Sequence, residues 1–551
     1  MRRNMHVALV SLGLLFGTVS CNSFLTGDKL STDPNNPGQG TIQTLLVGIQ
    51  GGQFAFHEGT AAMVVCEWMQ QCGATNGRYV EQAGRYVFGA GSNIGAFGTD
   101  WASVYTGGGL IDMDTIASMA RVAGDDLYLG IDLVWKGYTV GSAADLWGSI
   151  PYTQIRTSAT PALDSQLVVY DTVQNMLTRA IVALKSGVTT LPTPPDLVLG
   201  ADPAKWIAVA HTLKARYFLH TVEAAANGKL GARTPAAVWA DVIAQADSGI
   251  NDPTGAGDLR AFHSGAGYPQ SNQWFTFQDN SAFGGDLEAG KALVDYMNGR
   301  SDPRRADYFC PLVDATWLAT HGYAVDDQVG DPNGFIQQVT AVTGNDSSGT
   351  TEPTWNRTVG GTTTDNNVTW TNEGFNYAGD DFNVPQSGVS NFQCEPTRFS
   401  AKFSVPYVTY QENQLILAEA NLAAGNVALA QAALDAAYTA VPGLASRSGG
   451  ATGAALLDSI MLEKYVVMFQ NFEALSDYRR TCIAGSVQAG VFVPINYVTP
   501  NVLSLPAVPG ELFYPQTERN ANSNIPAESD QVNKQHVRTQ SDVSACPTAY
   551  P

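Results

Sequence analysis

The sequence lacks the features that mark several large classes of protein. It has 551 residues, and after residue 20 it contains no apolar run long enough to span a bilayer. Basic residues are scarce, because 30 Lys and Arg stand against 50 Asp and Glu, for a net charge of −20. A nucleic-acid-binding surface needs a basic stripe to neutralise phosphates, so this charge balance argues against nucleic acid as a partner. It also argues against docking on anionic lipid through basic side chains.

Signatures of catalysis and of metal binding are also missing. The sequence has no GxSxG nucleophile elbow, no HExxH and no CxxC, and its seven His are scattered without a helical pair. The 50 acids could supply a glycosidase pair, but no spacing singles one out. Residues 331–334, Asp-Pro-Asn-Gly, lack the remaining ligands of a calcium loop, so we favour a plain turn over a structural calcium ion. We therefore predict neither an enzyme nor a cofactor-dependent protein.

The chain begins with the pattern of an export signal. Two Arg follow Met1, an apolar stretch runs over residues 7–16, and small residues precede Cys21. This order is typical of a signal peptide, here over residues 1–20. A Cys directly after the cut matches the lipobox of bacterial lipoproteins, in which several acyl chains anchor the protein to a membrane. We therefore predict lipidation of Cys21 and a polar tether over residues 21–40; the alternative is an ordinary secretory signal that ends near a Cys.

The remaining cysteines predict disulfides. With Cys21 lipidated, six of the seven Cys are left in an oxidising compartment, where three bonds can form in fifteen pairings. Cys66 and Cys72 are close enough in sequence to close a local loop, and Cys482 with Cys546 could pin the C-terminal tail. The six residues are Cys66, Cys72, Cys310, Cys394, Cys482 and Cys546.

Residues beyond the tether have a mainly helical pattern with long loops. Asp202 and Pro203 are suited to begin a helix, and Gly425 stands where a helix C-cap is expected. Helix pairs joined by short Gly or Asn turns are the units of tetratricopeptide-like arrays, although no clean period of about 34 residues is present. Apolar residues recur at helical spacing over residues 125–148, 167–185, 203–226, 236–248, 410–424, 427–438 and 456–472. We predict four irregular pairs over residues 112–148, 167–188 with a neighbour, 203–248 and 410–440.

One segment has the pattern of short strands instead. Strand-like runs at residues 334–340, 354–357 and 367–371 are separated by Gly, Asn and Asp. We predict a small inserted β-module over residues 334–374. The run resembles small β-units of phage tail and surface-binding proteins; the alternative is a solvated decorative loop.

Several segments, in order along the chain, resemble the SusD/RagB family of starch- and nutrient-binding outer-membrane lipoproteins. The first is Cys21 with the Asp-Pro-Asn-Asn-Pro run at residues 33–37. The others are residues 101–105 (WASVY), 145–152 (DLWGSIPY), 301–304 (SDPR), 407–420, 463–464 with 477–481, and 513–515 with Glu518 and Asn522. The insert at 334–374 departs from the family's usual pattern.

The resemblance implies a single α-rich domain over residues 41–551. It implies a non-enzymatic lid at the extracellular face of the outer membrane, held there through its lipid anchor only. Such a lid captures a glycan or a peptide nutrient for a SusC-like TonB-dependent transporter. Two alternatives stay open, an exported polysaccharide hydrolase and a structural or adhesive surface-assembly protein.

Most of the matching motifs have a structural interpretation. We expect Glu412, Glu419 and Arg480 to form a buried polar network, because a buried charge persists only when it is paired. Trp101, Trp135 and Trp206 lie on apolar helical faces, so we place each of them in the core.

We look for the ligand site in loops, because sugar binding needs flat aromatic faces with amides, acids and Arg beside them. Two loops have this content, one before Trp101 and one in the Gly-rich stretch 251–290. Local packing is the alternative role for their aromatic rings. The candidate binding residues are Asn76, Arg78, Tyr79 and Tyr86 in the first loop, and Tyr268, Asn272, Trp274 and Phe275 in the second.

Overall fold

The structure is a computed structural model that describes residues 40–74, 95–280, 286–380, 387–394, 397–444, 448–481, 510–528 and 530–531. Helices dominate, as predicted. The helices of the first half are α1 (Ile42–His57), α2 (Thr60–Trp68), α3 (Gly98–Tyr105), α4 (Leu110–Ala123), α5 (Asp126–Trp147), α6 (Gln166–Ser186), α7 (Pro203–Leu219), α8 (Val222–Ala226) and α9 (Pro235–Ala246). Those of the second half are α10 (Gln273–Asp279), α11 (Lys291–Gly299), α12 (Arg305–Tyr308), α13 (Tyr410–Ala423), α14 (Val427–Thr439), α15 (Gly453–Val467), α16 (Glu473–Thr481) and α17 (Gln516–Ala521).

The strands are short and all their pairings are antiparallel. They are β1 (Cys72–Ala74), β2 (Leu259–Arg260), β3 (Leu287–Ala289), β4 (Gln328–Gly330), β5 (Phe335–Val342), β6 (Thr362–Asp365), β7 (Val368–Phe375) and β8 (Pro406–Val408). Strand β1 pairs with β3 and β2 with β8, while the other four form a sheet in the order β4-β5-β7-β6. The two-stranded ribbons join loops that are remote in sequence.

Consecutive helices pack side by side in an array. In spatial order, each packing on the next, its members are α4, α5, α6, α7, α9, α13 and α14. Three of the predicted pairs are present as pairs of packed helices. They are α4 with α5 (predicted as 112–148), α7 with α9 (203–248) and α13 with α14 (410–440). The third predicted helix, 167–185, is α6, which lies between α5 and α7. The predicted arrangement of helix pairs is therefore confirmed.

Helix α5 lies inside the array, and nearly all of its residues are buried. Its first turn is capped by Asp125, whose carboxylate accepts a hydrogen bond of 2.9 Å from the Tyr128 N–H. A helix buried on every side needs close neighbours, and glycine on α5 admits them. A methyl group at Gly141 would overlap the ring of Tyr217 on α7.

The helix predicted over residues 203–226 is interrupted. It begins as predicted, because the Asp202 carboxylate accepts from the Ala204 N–H and Pro203 occupies the first turn. Helix α7 nevertheless ends at Leu219 and α8 follows as a separate turn. The Thr221 hydroxyl donates to the Phe218 carbonyl at 2.8 Å, and such a side-chain bond competes with helix continuation.

Helix α13 begins and ends at residues that the sequence marks. Helix α13 starts with a capping box between Thr409 and Glu412, and the left-handed φ of 82° at Gly425 follows its last turn. The helix predicted over residues 456–472 stops earlier, at Val467. The chain turns there, with a positive φ of 69° at Gln470.

The interior confirms the predicted core tryptophans. Trp101 is 3% exposed, and Trp135 and Trp206 are fully buried. The last two pack edge to face, with ring centroids 5.9 Å apart. They join helix α5 to helix α7 within the main hydrophobic cluster.

The predicted buried polar network is confirmed, but it has two separate centres. Glu412 pairs with Arg216 at 2.5 Å, while Glu419 pairs with Arg480 at 2.7 Å and with Lys464 at 2.7 Å. All five side chains are buried. Each carboxylate is therefore compensated by a cation from another helix.

The four-stranded sheet has a hydrophobic cluster of its own. Strands β5 and β7 fall where two strands were predicted, but residues 354–357 form no strand and β6 lies further along. The sheet also begins earlier than the predicted module, at Gln328. Residues 354–357 are held by packing instead of strand pairing, because Trp355 packs edge to face on Trp370 with ring centroids 5.5 Å apart. The cluster consists of Tyr323, Val329, Val339, Trp355, Val368 and Trp370.

Two disulfides join described cysteines. The predicted local loop is closed by Cys66–Cys72, with Cα atoms 5.3 Å apart. The second bond, Cys310–Cys394, was not predicted as a pair; its Cα atoms are 5.7 Å apart. The predicted partners Cys482 and Cys546 lie outside the described residues.

Candidate functional site

Exposed aromatic rings mark the Gly-rich loop that precedes and includes α10. Of the Phe, Tyr and Trp side chains in the described residues, three are exposed, and two of them, Phe262 at 49% and Tyr268 at 52%, lie in this loop. The Tyr268 hydroxyl donates to Asp279 at 2.7 Å, which orients the ring from the far end of α10. We call the residues 262–280 the aromatic loop.

The aromatic loop is tied to the helical body by one buried carboxylate. Glu58, which follows α1, accepts hydrogen bonds from His263 Nε2 at 3.0 Å and from the Gln273 N–H at 3.1 Å. It also accepts from the Tyr407 hydroxyl of β8 at 2.6 Å. The same group therefore holds the residues on either side of Tyr268, namely His263 and Gln273, and Phe262 directly precedes the first of them.

Two of the predicted binding residues lie inside the protein. The Asn272 side chain caps α10 by accepting from the Trp274 N–H at 2.8 Å, and it donates to the carbonyls of Arg398 and Phe403. Trp274 is fully buried and packs edge to face on Phe399, with centroids 5.6 Å apart. A stacking role for Trp274 would require its ring to leave the core.

The other predicted residues divide into two groups. Tyr268 lies at the surface, and Phe275 is partly buried beside it on α10. The other four predicted binding residues, and Cys21 as the predicted site of lipidation, lie outside the described residues; the four are Asn76, Arg78, Tyr79 and Tyr86. Among the described residues, the predicted ones that the structure brings together are therefore those of the second loop.

A cavity of about 360 Å³ lies between three segments that are far apart in sequence. Its walls come from the α3–α4 region, from the loop after α5, and from α17 with the residue that follows it. Representative lining residues are Trp101, Tyr105, Ile111, Arg156, Glu518 and Asn522. The sequence offered a signal, because these segments coincide with motifs 101–105, 145–152 and 513–522, but motif order does not reveal a shared cavity.

The cavity is held open by hydrogen bonds between its walls. The Tyr105 hydroxyl donates to the Pro151 carbonyl at 3.1 Å, and the Asn522 amide donates to the Pro161 carbonyl at 2.8 Å. The Tyr514 hydroxyl donates to the Trp147 carbonyl at 3.0 Å. The last two bonds join the C-terminal segment to the loop after α5 and to the end of α5, so the cavity is part of the folded framework.

Among the described residues, a buried cluster of Asp145, His220 and Glu473 has its ligand atoms within 4.8 Å of one another, close enough to hold a metal ion. His220 Nδ1 lies 2.9 Å from Asp145 Oδ1, and its Nε2 lies 2.8 Å from Glu473 Oε1. Burial alone would lower the pKa of His220, but the two carboxylates outweigh burial and raise it to about 10. The imidazolium is therefore itself the cation between the two acids, and both of its nitrogens are engaged.

The turn at residues 331–334 is held by hydrogen bonds to Asp331. Its carboxylate accepts from the N–H groups of Asn333 and Phe335 at 2.7 and 3.1 Å, and from Gln337 Nε2 at 2.8 Å. These three hydrogen bonds stabilise the Asp-Pro-Asn-Gly segment as a turn.

Among the described helices, none combines the length and the hydropathy that crossing a bilayer requires.

Solved structures with the same fold are similar to most of the chain. A chitin-binding SusD homologue from Flavobacterium johnsoniae has a TM-score of 0.61 at 16% identity, covering 90% of this chain and 99% of its own. A SusD/RagB family protein from Bacteroides thetaiotaomicron has a TM-score of 0.59 at 16% identity, covering 92% and 100%. A SusD homologue from Bacteroides uniformis has a TM-score of 0.59 at 17% identity, covering 92% and 99%. At this identity the likeness establishes the fold.

A family model extends the likeness to sequence. No curated protein matches the chain significantly. The model of a SusD-like family, described as starch-binding and associating with the outer membrane, matches residues 34–357, which is more than half of the chain. The predicted resemblance is thus confirmed, and the chain belongs to this SusD-like family of outer-membrane-associated proteins.

Proposed function

We propose that this protein binds a glycan at the cell surface through the aromatic loop. The observation that carries the proposal is the exposure of Phe262 and Tyr268 in a loop that Glu58 holds at His263 and at Gln273. Flat rings that are held in place can pack against sugar rings with little loss of conformational freedom on binding. The family description and the chitin-binding relative support a polysaccharide as the ligand.

We propose that the protein binds its glycan without hydrolysing it. Supporting this, the buried acids Asp145, Glu412 and Glu473 are each paired with a cation, and Glu58 is hydrogen-bonded to three donors. Paired, buried carboxylates are suited to holding helices together, whereas a glycosidase needs two carboxyl groups that face one substrate.

Binding is tested with oligosaccharides of starch and of chitin by isothermal titration calorimetry. Maltoheptaose and chitohexaose are the probes. We expect one of them to bind, and we expect Phe262→Ala and Tyr268→Ala each to weaken its binding about fivefold, because a stacked ring contributes about 1 kcal/mol. Phe375→Ala is the matched control, since Phe375 is the third exposed aromatic side chain and lies on the small sheet. Unchanged affinity in both loop variants would show that the aromatic loop is not the site.

Trp274→Ala is a poor test of binding, because it removes a fully buried ring. Tyr268→Phe is a cleaner companion variant. It keeps the ring and removes only the hydroxyl group that bonds to Asp279. We expect it to retain most of the affinity that Tyr268→Ala loses.

We further propose that the chain is a lipoprotein, anchored through Cys21 at the extracellular face of the outer membrane, that delivers its ligand to a SusC-like TonB-dependent transporter. The signal-like start of the sequence and the family description support it. Fractionation of cells that express Cys21→Ala should move the protein out of the outer-membrane fraction. Affinity purification of the wild-type protein from detergent-solubilised outer membranes should recover a large β-barrel transporter. Recovery of the protein alone would contradict the partnership.

A further inference from the structure

The cavity between α3, the loop after α5 and α17 has a chemical character unlike that of the aromatic loop. Its walls are largely aliphatic and aromatic, from Tyr105, Ile111, Pro151 and Ile155 among others. Ile111 is 47% exposed, so an apolar surface faces the opening. Its volume of about 360 Å³ is at the small end for ligand pockets, which are typically about 300–1,000 Å³. A ligand of one or two residues fits this volume, whereas an extended polysaccharide does not.

An acidic group lies on one wall of the cavity. The carboxylate of Glu518 on α17 has no hydrogen-bond or ion-pair partner within the described part of the chain, unlike the buried acids of the core. The carboxylate lines the same cavity as Tyr105, and the pKa of the Tyr105 hydroxyl is raised mainly by burial and further by the charge of Glu518. An uncompensated carboxylate beside apolar walls attracts an ammonium group.

A basic group lies on another wall. Arg156 donates from Nε and Nη2 to Asp114 at 3.1 and 2.6 Å, and its Nη1 has no partner among the residues that the structure describes. Lys136 also pairs with Asp114, so the three groups together carry one net positive charge. The Arg156 side chain is half exposed, which leaves its remaining N–H groups accessible. The planar guanidinium is suited to binding a carboxylate.

We propose that this cavity binds a small apolar zwitterion, an apolar α-amino acid or dipeptide, with its ammonium group at Glu518 and its carboxylate at Arg156. The aliphatic walls receive the side chains of the ligand. This inference does not depend on glycan binding by the aromatic loop, because the two sites share no residue.

The full chain is titrated by calorimetry with leucyl-leucine and with N-acetyl-leucyl-leucinamide. The second compound keeps the apolar side chains and lacks both charges. We expect leucyl-leucine to bind with a Kd of about 1 mM or tighter, and the capped compound at least about tenfold more weakly. Equal affinity for the two compounds, or no binding of leucyl-leucine up to 5 mM, a ceiling about fivefold above that Kd, overturns the proposal.

Variants locate the site. Glu518→Gln and Arg156→Gln should each weaken leucyl-leucine about tenfold while leaving the weak affinity for the capped compound unchanged. Glu373→Gln, which removes an exposed carboxylate on β7, and Arg121→Gln, which removes an exposed guanidinium on α4, are the matched controls and should have no effect. Full affinity in both cavity variants would show that the dipeptide binds elsewhere and would overturn the assignment. Circular dichroism of each variant shows that a loss is not due to unfolding.

Discussion

The carboxylate of Glu58 accepts a hydrogen bond of 2.6 Å from the hydroxyl group of Tyr407, a residue that lies 349 positions away in the sequence. Glu58 directly follows α1, and Tyr407 is the central residue of β8. The same carboxylate accepts hydrogen bonds from His263 Nε2 and from the Gln273 N–H. The first helix, the aromatic loop and the C-terminal half of the chain therefore meet at one side chain. The proposed glycan-binding surface therefore depends on a residue that cannot touch the glycan.

Glu58→Gln should loosen the aromatic loop. The Glu58 carboxylate accepts hydrogen bonds from three donors through two oxygens, whereas a Gln side chain has a single acceptor oxygen. The amide NH₂ of Gln would point at a group that is itself a donor, so that hydrogen bond would be lost. We expect a loss of about 1–3 kcal/mol in the free energy of unfolding, because buried donors are left without partners. Hydrogen exchange of peptides from residues 262–280 should accelerate more than that of α5. Exposed Glu373→Gln should change stability by less than about 0.5 kcal/mol.

Arg480→Met should be strongly destabilising. Arg480 is buried and bonds both Glu419 and Asp477, so its removal leaves buried carboxylates with less compensation. Breaking such a pair typically costs about 3–5 kcal/mol, measured by urea unfolding. Arg233→Met removes a partly exposed pair with Asp241 and should cost less than about 1 kcal/mol. Similar losses of stability in the two variants would contradict the prediction that the buried ion pair contributes more than the exposed one.

His220 should make stability depend on pH in the alkaline range. Its pKa is raised to about 10 in the folded protein by Asp145 and Glu473, against an unfolded value of about 6.5. The proton stabilises the fold fully below about pH 6.5, and this contribution is lost as the pH rises through about 10. The loss amounts to at most about 5 kcal/mol.

The measurement compares urea unfolding of the wild type and His220→Gln from pH 6 to about pH 10, the range that the two pKa values span. Wild-type stability should fall relative to that of the variant across this interval. Parallel pH profiles would show that the imidazole binds no additional proton on folding.

Gly141→Ala should destabilise the protein, although alanine favours helices. The added methyl group would overlap the Tyr217 ring, so α5 and α7 would have to move apart, at a cost of about 1–3 kcal/mol. Gly48→Ala on α1 is the matched control, because nothing lies within 4 Å of its added methyl group. That variant should be stabilised by about 0.5–1 kcal/mol in thermal unfolding. Stabilisation by both substitutions would refute close packing at Gly141.

Helix boundaries were predictable where local groups set them. Asp125, Asp202 and Thr409 each accept a hydrogen bond from a backbone N–H two or three residues later, and Gly425 adopts the left-handed conformation after α13. These signals act within one turn, so they can be recognised without a fold. The same reasoning missed the break between α7 and α8, where Thr221 uses its hydroxyl group instead.

The sequence pointed to the loop that holds the exposed rings, but it named the buried Trp274 as a binding residue and did not name Phe262. Tyr268 and Trp274 lie six positions apart in the same loop, yet one ring is 52% exposed and the other is fully buried. Which ring faces inward depends on the start of α10 at the Asn272 cap and on Phe399, which comes from a remote part of the chain. No local pattern encodes the position of that partner.

Family, helical class and the pairing of helices along the chain were accessible from local periodicity, caps and motif order, because these depend on residues within a few turns of one another. Tertiary structure alone decided which cation each buried acid pairs with, which rings are exposed, and that three distant motifs enclose one cavity. The contacts of Glu58 with His263 and Tyr407, and of the Asn522 amide with the Pro161 carbonyl, cross hundreds of residues. Such contacts arise only when the helical array brings those segments together, since burial makes each unpaired group costly.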